Sequence, residues 1–295
     1  MRDFPSCFGE SGVQIADSSS SSSSSSSTHK SAHNLVTCLY QAPLGRGGCW
    51  CLITITWTKN LMGQGLGVSV EEGSTNRSLG RLDIKPWLFS KKKGSKSLEL
   101  GDSKMDVFWD LSSARFGPSP EPLEGFYVAI LFDLEMVLLL GDMSKEAYRK
   151  TGTSLSRSNT LFVAKKEHLF GKKMYFTKAQ FCGNGKVHDI AIECEMVGLN
   201  DPCLEIRIDR KRVMQVKRLV WKFRGNHTIL VDGVPVEVFW DVHNWLFDPA
   251  AGNAVFMFQT SLSADDKLSP WSCSQVFGEA QRHSFSLVLI AWKNE

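Results

Sequence analysis

Asp241 and His243 stand two residues apart, close enough for a carboxylate and an imidazole to share a metal ion or pass a proton. A protein metal site needs about three or four such ligands, and the earlier segment that matches this one carries Ser112 in place of His243. The seven histidines, His29, His33, His168, His188, His227, His243 and His283, follow no metalloprotease spacing, and Cys49-x-Cys51 is no zinc knuckle. Gly63-x-Gly65-x-Gly67 lacks the spacing of a dinucleotide fingerprint and reads as a hairpin turn, and neither a phosphate loop nor a Gly-x-Ser-x-Gly nucleophile elbow occurs. The reading assigns no catalytic residue, no metal ligand and no cofactor.

Binding chemistry is better represented. Arg207, Arg218, Lys222 and Arg224 alternate with Trp221 and Phe223, and cations beside aromatic rings on a strand can grip anionic groups or stack bases. The plain alternative is a solvated face over a buried aromatic one. A second candidate is the head Met1-Arg-Asp-Phe-Pro-Ser-Cys-Phe-Gly9, where Phe4, Cys7 and Phe8 could dock or Cys7 could take an acyl chain. N-myristoylation is excluded by Arg2.

The elements that must position these residues repeat. Val107-Phe-Trp-Asp110 returns as Val238-Phe-Trp-Asp241, and its neighbours return in the same order. Cys51–Thr56 matches His188–Glu193, Leu66–Glu71 matches Leu204–Asp209, and Arg81–Lys85 matches Arg218–Lys222, the first copy carrying an extra polar loop at Lys91–Lys96. Short β-branched and aromatic segments alternate with polar residues and are punctuated by Gly, Asn and Asp, the pattern of antiparallel strands. Leu219, Trp221 and Phe223 would share one face of such a strand. The expected fold is all-β: two similar antiparallel units, sandwiches or partly closed barrels, arising by internal duplication behind a disordered Ser-rich N-terminus. The expected bounds are 1–33 for the head, 34–142 for the first unit, 143–157 for a basic linker and 158–295 for the second unit with a closing C-terminal strand. Trp109, Asp110, Trp240 and Asp241 are the structural repeat motif, each Asp capping a turn. Helix is expected only at Lys145–Thr151 and after each of these Asp residues, and Phe126–Leu140 reads as a tight hairpin.

An apolar fraction of 42%, with nine Trp and eighteen Phe, supplies a core. A net charge of +3 is too small to argue for nucleic acid by itself, although basic residues crowd 145–186 and 207–224. The serine run Ser18–Ser27 cannot bury enough apolar surface to order itself. The first residues have no signal-peptide pattern and no segment is apolar enough to span a bilayer, so a cytoplasmic or nuclear location and free thiols are expected.

Met1–Glu10 before the serine tract, Lys166–Gly171, Gln215–Gly225 and Val231–Phe247 together resemble a plant-specific family of uncharacterised proteins defined by a domain of unknown function, over about Asn34 to Trp292. The resemblance implies a plant source and carries over no activity, cofactor or catalytic residue. The functional expectation is therefore a non-catalytic interaction or regulatory β module with a protein partner. The alternatives are a barrel enclosing a small apolar ligand, a hydrolytic site assembled in space, and, least favoured, binding of nucleic acid or anionic lipid.

Overall fold

The computed structural model describes residues 13–14, 32–44, 49–73, 77–84, 91–100, 103–153, 160–182, 185–197, 201–248, 252–260 and 285–293. The serine tract, the head residues Phe4, Cys7 and Phe8, and the segment 261–284 lie outside them. Two compact units form, Ala32–His168 and Leu169–Glu295. A two-residue strand, β1 (Val13–Gln14), opens the described chain and goes with the second.

In the first unit, β2 (Ala32–Leu44), β3 (Cys49–Asn60), β4 (Gly63–Glu72) and β5 (Ser78–Ile84) make an antiparallel meander. A second sheet holds β6 (Lys93–Leu100) and β7 (Ser103–Asp110), then, beyond the short hairpin β8 (Arg115–Phe116) and β9 (Pro122–Glu124), β10 (Tyr127–Phe132) and β11 (Glu135–Gly141), in the order β11-β10-β7-β6. Period-2 alternation sends Ile53, Ile55 and Trp57 from one sheet and Val107, Trp109, Val128 and Ile130 from the other into one core. Trp57 meets Phe126 edge-on there at 5.9 Å. Helix α1 (Ser144–Thr151), inside the expected linker, covers the outer face of the second sheet, where Ala147, Met143 and Tyr148 pack on Tyr127, Leu131 and Phe108. That cover explains why Phe108 and Trp109, on opposite faces of β7, are both shielded. Strand β12 (Leu161–Gly171) lies beside β2 and contains the boundary between the units.

The second unit has the same strand order. Strands β13 (Met174–Gln180), β14 (Val187–Val197), β15 (Asp201–Ile208) and β16 (Lys211–Val216) form one meander, with β1 beside β16, and β17 (Arg224–Val231), β18 (Val234–Asp241), β19 (Asn253–Thr260) and β20 (Ser286–Lys293) form the other. Short helix α2 (His243–Phe247) follows β18 and buries Trp245, whose Nε1 donates to the Tyr175 hydroxyl at 3.0 Å. Both sheets again share one core. The hairpin turns at Asp133-Leu134, Asp209-Arg210 and Asp232-Gly233 each hold two consecutive positive-φ residues, the primed turn that matches strand twist.

Several expectations are corrected. The described strands close no barrel, and each unit is two packed sheets with a buried apolar core. Arg218–Lys222 is not a strand: Arg218 takes φ 56°, and its carbonyl accepts the N–H groups of Trp221 and Lys222 at 2.9 and 3.1 Å, which closes a turn. Leu219 is fully buried while Trp221 is exposed, so they share no face. Lys91–Lys96 is not an extra loop but leads into β6, whose counterpart is β17. Gly65 and Gly67 sit inside β4 rather than in a turn.

Candidate functional site

The two motif strands carry one device. Gly94 lies opposite Trp109 and Gly225 opposite Trp240, and a Cβ on either glycine would come within 2.8 or 2.4 Å of the indole. Lacking a side chain, each glycine lets the ring lie flat across the neighbouring strand. Trp109 Nε1 donates to the Lys91 carbonyl at 3.2 Å and Trp240 Nε1 to the Lys222 carbonyl at 2.9 Å. Asp110 Oδ1 accepts the Ser112 N–H and Asp241 Oδ1 the His243 N–H, both at 3.1 Å, which are Asx turns. The other carboxylate oxygen pairs with Lys93 at 2.6 Å or Arg224 at 2.8 Å. Burial would raise the Asp110 carboxyl, but Lys93 and the Ser112 N–H and hydroxyl together hold it below the ordinary range. A signal for this device was available: Lys-x-Lys-Gly94 and Lys-x-Arg-Gly225 precede the two tryptophans at matching distances.

What grows on the device differs between the units. At the end of β18 the turn 217–223 is anchored by buried Leu219, whose N–H donates to the Pro202 carbonyl at 3.0 Å. It presents Trp221 with 83% of its surface exposed. Two residues on, Phe223 packs edge-on against His243 at 5.2 Å and Phe247 at 6.1 Å, and the Arg224 guanidinium lies 5.6 Å above its ring. Phe247 keeps 50% of its surface exposed. Lys217 and Arg218 are exposed and Lys222 partly so, and none of the three forms an ion pair among the described residues. Arg218 and Lys222 belong to this turn, and Arg224, paired with Asp241, opens β17 directly after it. Arg207 is elsewhere, on the outer face of β15, neutralised by Glu193 at 3.1 Å and by Glu205.

Two polar clusters were missed because their members are distant in sequence. In the first unit, Lys165 is almost buried between Glu121 and Glu167, each at 2.9 Å, with His33 Nδ1 3.7 Å from Glu167 and the Cys38 thiol 3.9 Å from Glu121. Burial pulls the Lys165 ammonium down, but the two carboxylates more than offset it and hold it above its usual value. Burial, then Glu121, pushes the Cys38 thiol up to about 12, and burial, then Cys38, pushes the Tyr40 phenol up as well. A locked ammonium and an unactivated thiol tie strands together and supply no nucleophile near neutral pH.

In the second unit, buried His188 places Nδ1 3.0 Å from Asp209 and Nε2 3.1 Å from Asp232, two hairpin-turn carboxylates from opposite sheets. Lys186, then the Asp189 N–H and His188, holds the Asp209 carboxyl well below the carboxylate range. The cluster staples one end of the sandwich. No hydroxyl or thiol is hydrogen-bonded to His188 among the described residues, and no group of three potential ligands that could hold a metal occurs among them. No helix of the described residues is long and apolar enough to cross a membrane.

Fold and corner define an all-β protein of two four-plus-four antiparallel sandwiches, one bearing an aromatic and cationic end. A family model described as "Plant protein of unknown function (DUF868)" matches residues 31–293, and the chain belongs to that family. No curated protein and no solved structure matches it.

Proposed function

We propose that this plant protein is a non-catalytic interaction module, built from a duplicated sandwich, that docks an acidic, apolar-bearing segment of a protein partner on the Trp221 corner. The observation that carries this reading is the exposed indole of Trp221, fixed on a turn whose Leu219 is buried and whose Lys217, Arg218 and Lys222 form no ion pair among the described residues. A pre-ordered aromatic anchor loses little entropy on binding, and Trp and Arg are the side chains that most often dominate interface energy. Lys217, Arg218 and Lys222 supply attraction for carboxylates, while Phe223 and Phe247 supply an apolar platform beside them. Arg207 has no part in this surface, since Glu193 and Glu205 already occupy it.

The test is calorimetric titration of the full chain with a short synthetic peptide alternating Glu and Leu, beside a single-stranded oligonucleotide and phosphatidylserine vesicles. The peptide should bind in the micromolar range, about −8 kcal/mol, weaken with added salt, and lose at least about tenfold in affinity in Trp221→Ala. Peptide binding that ignores Trp221→Ala, or a preference for the oligonucleotide or the vesicles, would overturn the reading.

A further inference from the structure

A shallow trough of about 260 Å³ lies on the outer face of β3, β4 and β5 in the first unit. Its floor is Gly65 and Gly67, directly opposite Thr58 and Thr56. The second unit shows what this face looks like when filled. Leu66–Glu71 aligns with Leu204–Asp209, so Gly67 and Ser69 correspond to Glu205 and Arg207, and Thr56 to Glu193. The registers agree: Thr56 pairs with Gly67 as Glu193 pairs with Glu205. In the second unit Arg207, Glu193, Glu205 and Arg212 cover the face with ion pairs. In the first, the same places hold hydroxyls and bare backbone.

The walls mix hydroxyls and an ion pair with apolar atoms of Leu66, Val68 and Ile84 and carry no net charge. The hydroxyls of Thr56, Thr58 and Ser69 make no hydrogen bond to another described residue. Across from them Arg81 Nε donates to both carboxylate oxygens of Asp83, at 3.2 and 2.9 Å, which cancels the pair's charge and leaves the terminal amino groups of Arg81 without partners among the described residues. A Cβ at Gly67 would stand 3.3 Å from Asp83 Oδ1, so the missing side chain keeps the space above the strand open. Such walls offer donors and acceptors side by side, with no uncompensated charge to select an ion. Vicinal hydroxyl groups, each able to donate and accept, match that arrangement.

We propose that this trough is a binding site for a neutral, hydroxyl-rich ligand of carbohydrate type, with Arg81 and Asp83 meeting adjacent hydroxyls and the glycine floor admitting the flat of a ring. No aromatic side chain lines it among the described residues, so affinity is low, with Kd of about 1–10 mM. The site is separate from the Trp221 corner and does not depend on the reading given to it.

The experiment is amide NMR of the labelled full chain titrated with cellobiose, maltose or sucrose, with inorganic phosphate and glucose 6-phosphate in parallel. At least one neutral disaccharide should shift the amides of Thr56, Gly67 and Ser69. Gly67→Val should abolish those shifts, Arg81→Ala, an exposed change that spares the fold, should weaken them several-fold, and Trp221→Ala should leave them intact. Absence of shifts with every neutral sugar would overturn the proposal. So would movement of the same amides by phosphate alone, which would mark an anion site, or shifts that survive both trough variants.

Discussion

At the end of β7 the chain runs Lys91, Lys92, Lys93 into a glycine and returns through Trp109 and Asp110 to Ser112 and Phe116. At the end of β18 it runs Lys222, Phe223, Arg224 into a glycine and returns through Trp240 and Asp241 to His243 and Phe247. The supporting contacts correspond: indole over glycine, indole N–H on the matching carbonyl, carboxylate on a cation at the matching position, Lys93 or Arg224, and on the turn N–H two residues on. The exposed parts differ. Lys92 and Ser112 of one corner stand where the other has Phe223 and His243, and the second presents the Trp221 turn, whose counterpart in the first lies outside the described residues. The lesson is a division of labour, in which the glycine, tryptophan and aspartate hold the sheet while the residues just outside them differ and set the surface chemistry of each corner. The outer sheet faces differ in the opposite sense, since there the first unit is open and the second is closed by ion pairs.

The hardest way to break this comparison is to delete the indoles. Trp109→Ala and Trp240→Ala should each destabilise the protein by about 3–5 kcal/mol through lost burial and the cavity left behind, measured by denaturant unfolding. Losses that differ by more than about 2 kcal/mol would show that the two devices are not equivalent. Next come the glycines. Gly94→Val and Gly225→Val should cost about 1–3 kcal/mol from overpacking. Gly225 should be the worse of the two, because its Cβ would lie 2.4 Å rather than 2.8 Å from the ring.

Asp110→Asn should cost about 1 kcal/mol, since Lys93 is more than half exposed and the pair is screened. Because the folded Asp110 carboxyl lies below its ordinary value of 3.8, its contribution is fully present above that pH and drains away as the pH falls through the folded value. The gap between wild type and Asp110→Asn should therefore shrink in acid. A gap that widens below pH 3.8 would reverse the assigned sign. The smallest stability effect belongs to Trp221→Ala, within about 0.5 kcal/mol, because an indole 83% exposed contributes little to the core. A thermal melt shifted by several degrees would mean that Trp221 is structural and the corner is not a free surface.

The comparison also shows what the sequence can and cannot reveal. The motif strands were legible because Val107 and Trp109, like Val238 and Trp240, recur at period two and face a core, although Phe108 and Phe239 between them are apolar as well. The hairpin within Phe126–Leu140 and the helix at 144–151 were legible for similarly local reasons. Residues 218–224 were misread because a turn can imitate period-2 alternation: Leu219 is buried by reaching the core, Trp221 is not buried at all, and only Arg218's left-handed backbone distinguishes the two cases. Lys91–Lys96 looked like a loop because β6 is an edge strand with exposed polar residues, which is how edges are protected. The Lys165 and His188 clusters were invisible for another reason. Glu121, Cys38 and Lys165 meet only because β2, β12 and the segment before β9 converge, and no spacing along the chain records that.

The most direct test of the account is amide NMR of the full chain with the Glu–Leu peptide, read at both corners at once. The account predicts shifts across 217–224 and 243–247 that fade as salt is added, with 91–93 and 112–116 unmoved. Equal shifts at the two corners would reduce the surface to undirected positive charge and contradict the claim that the second unit alone carries the site, as would a peptide that moves neither.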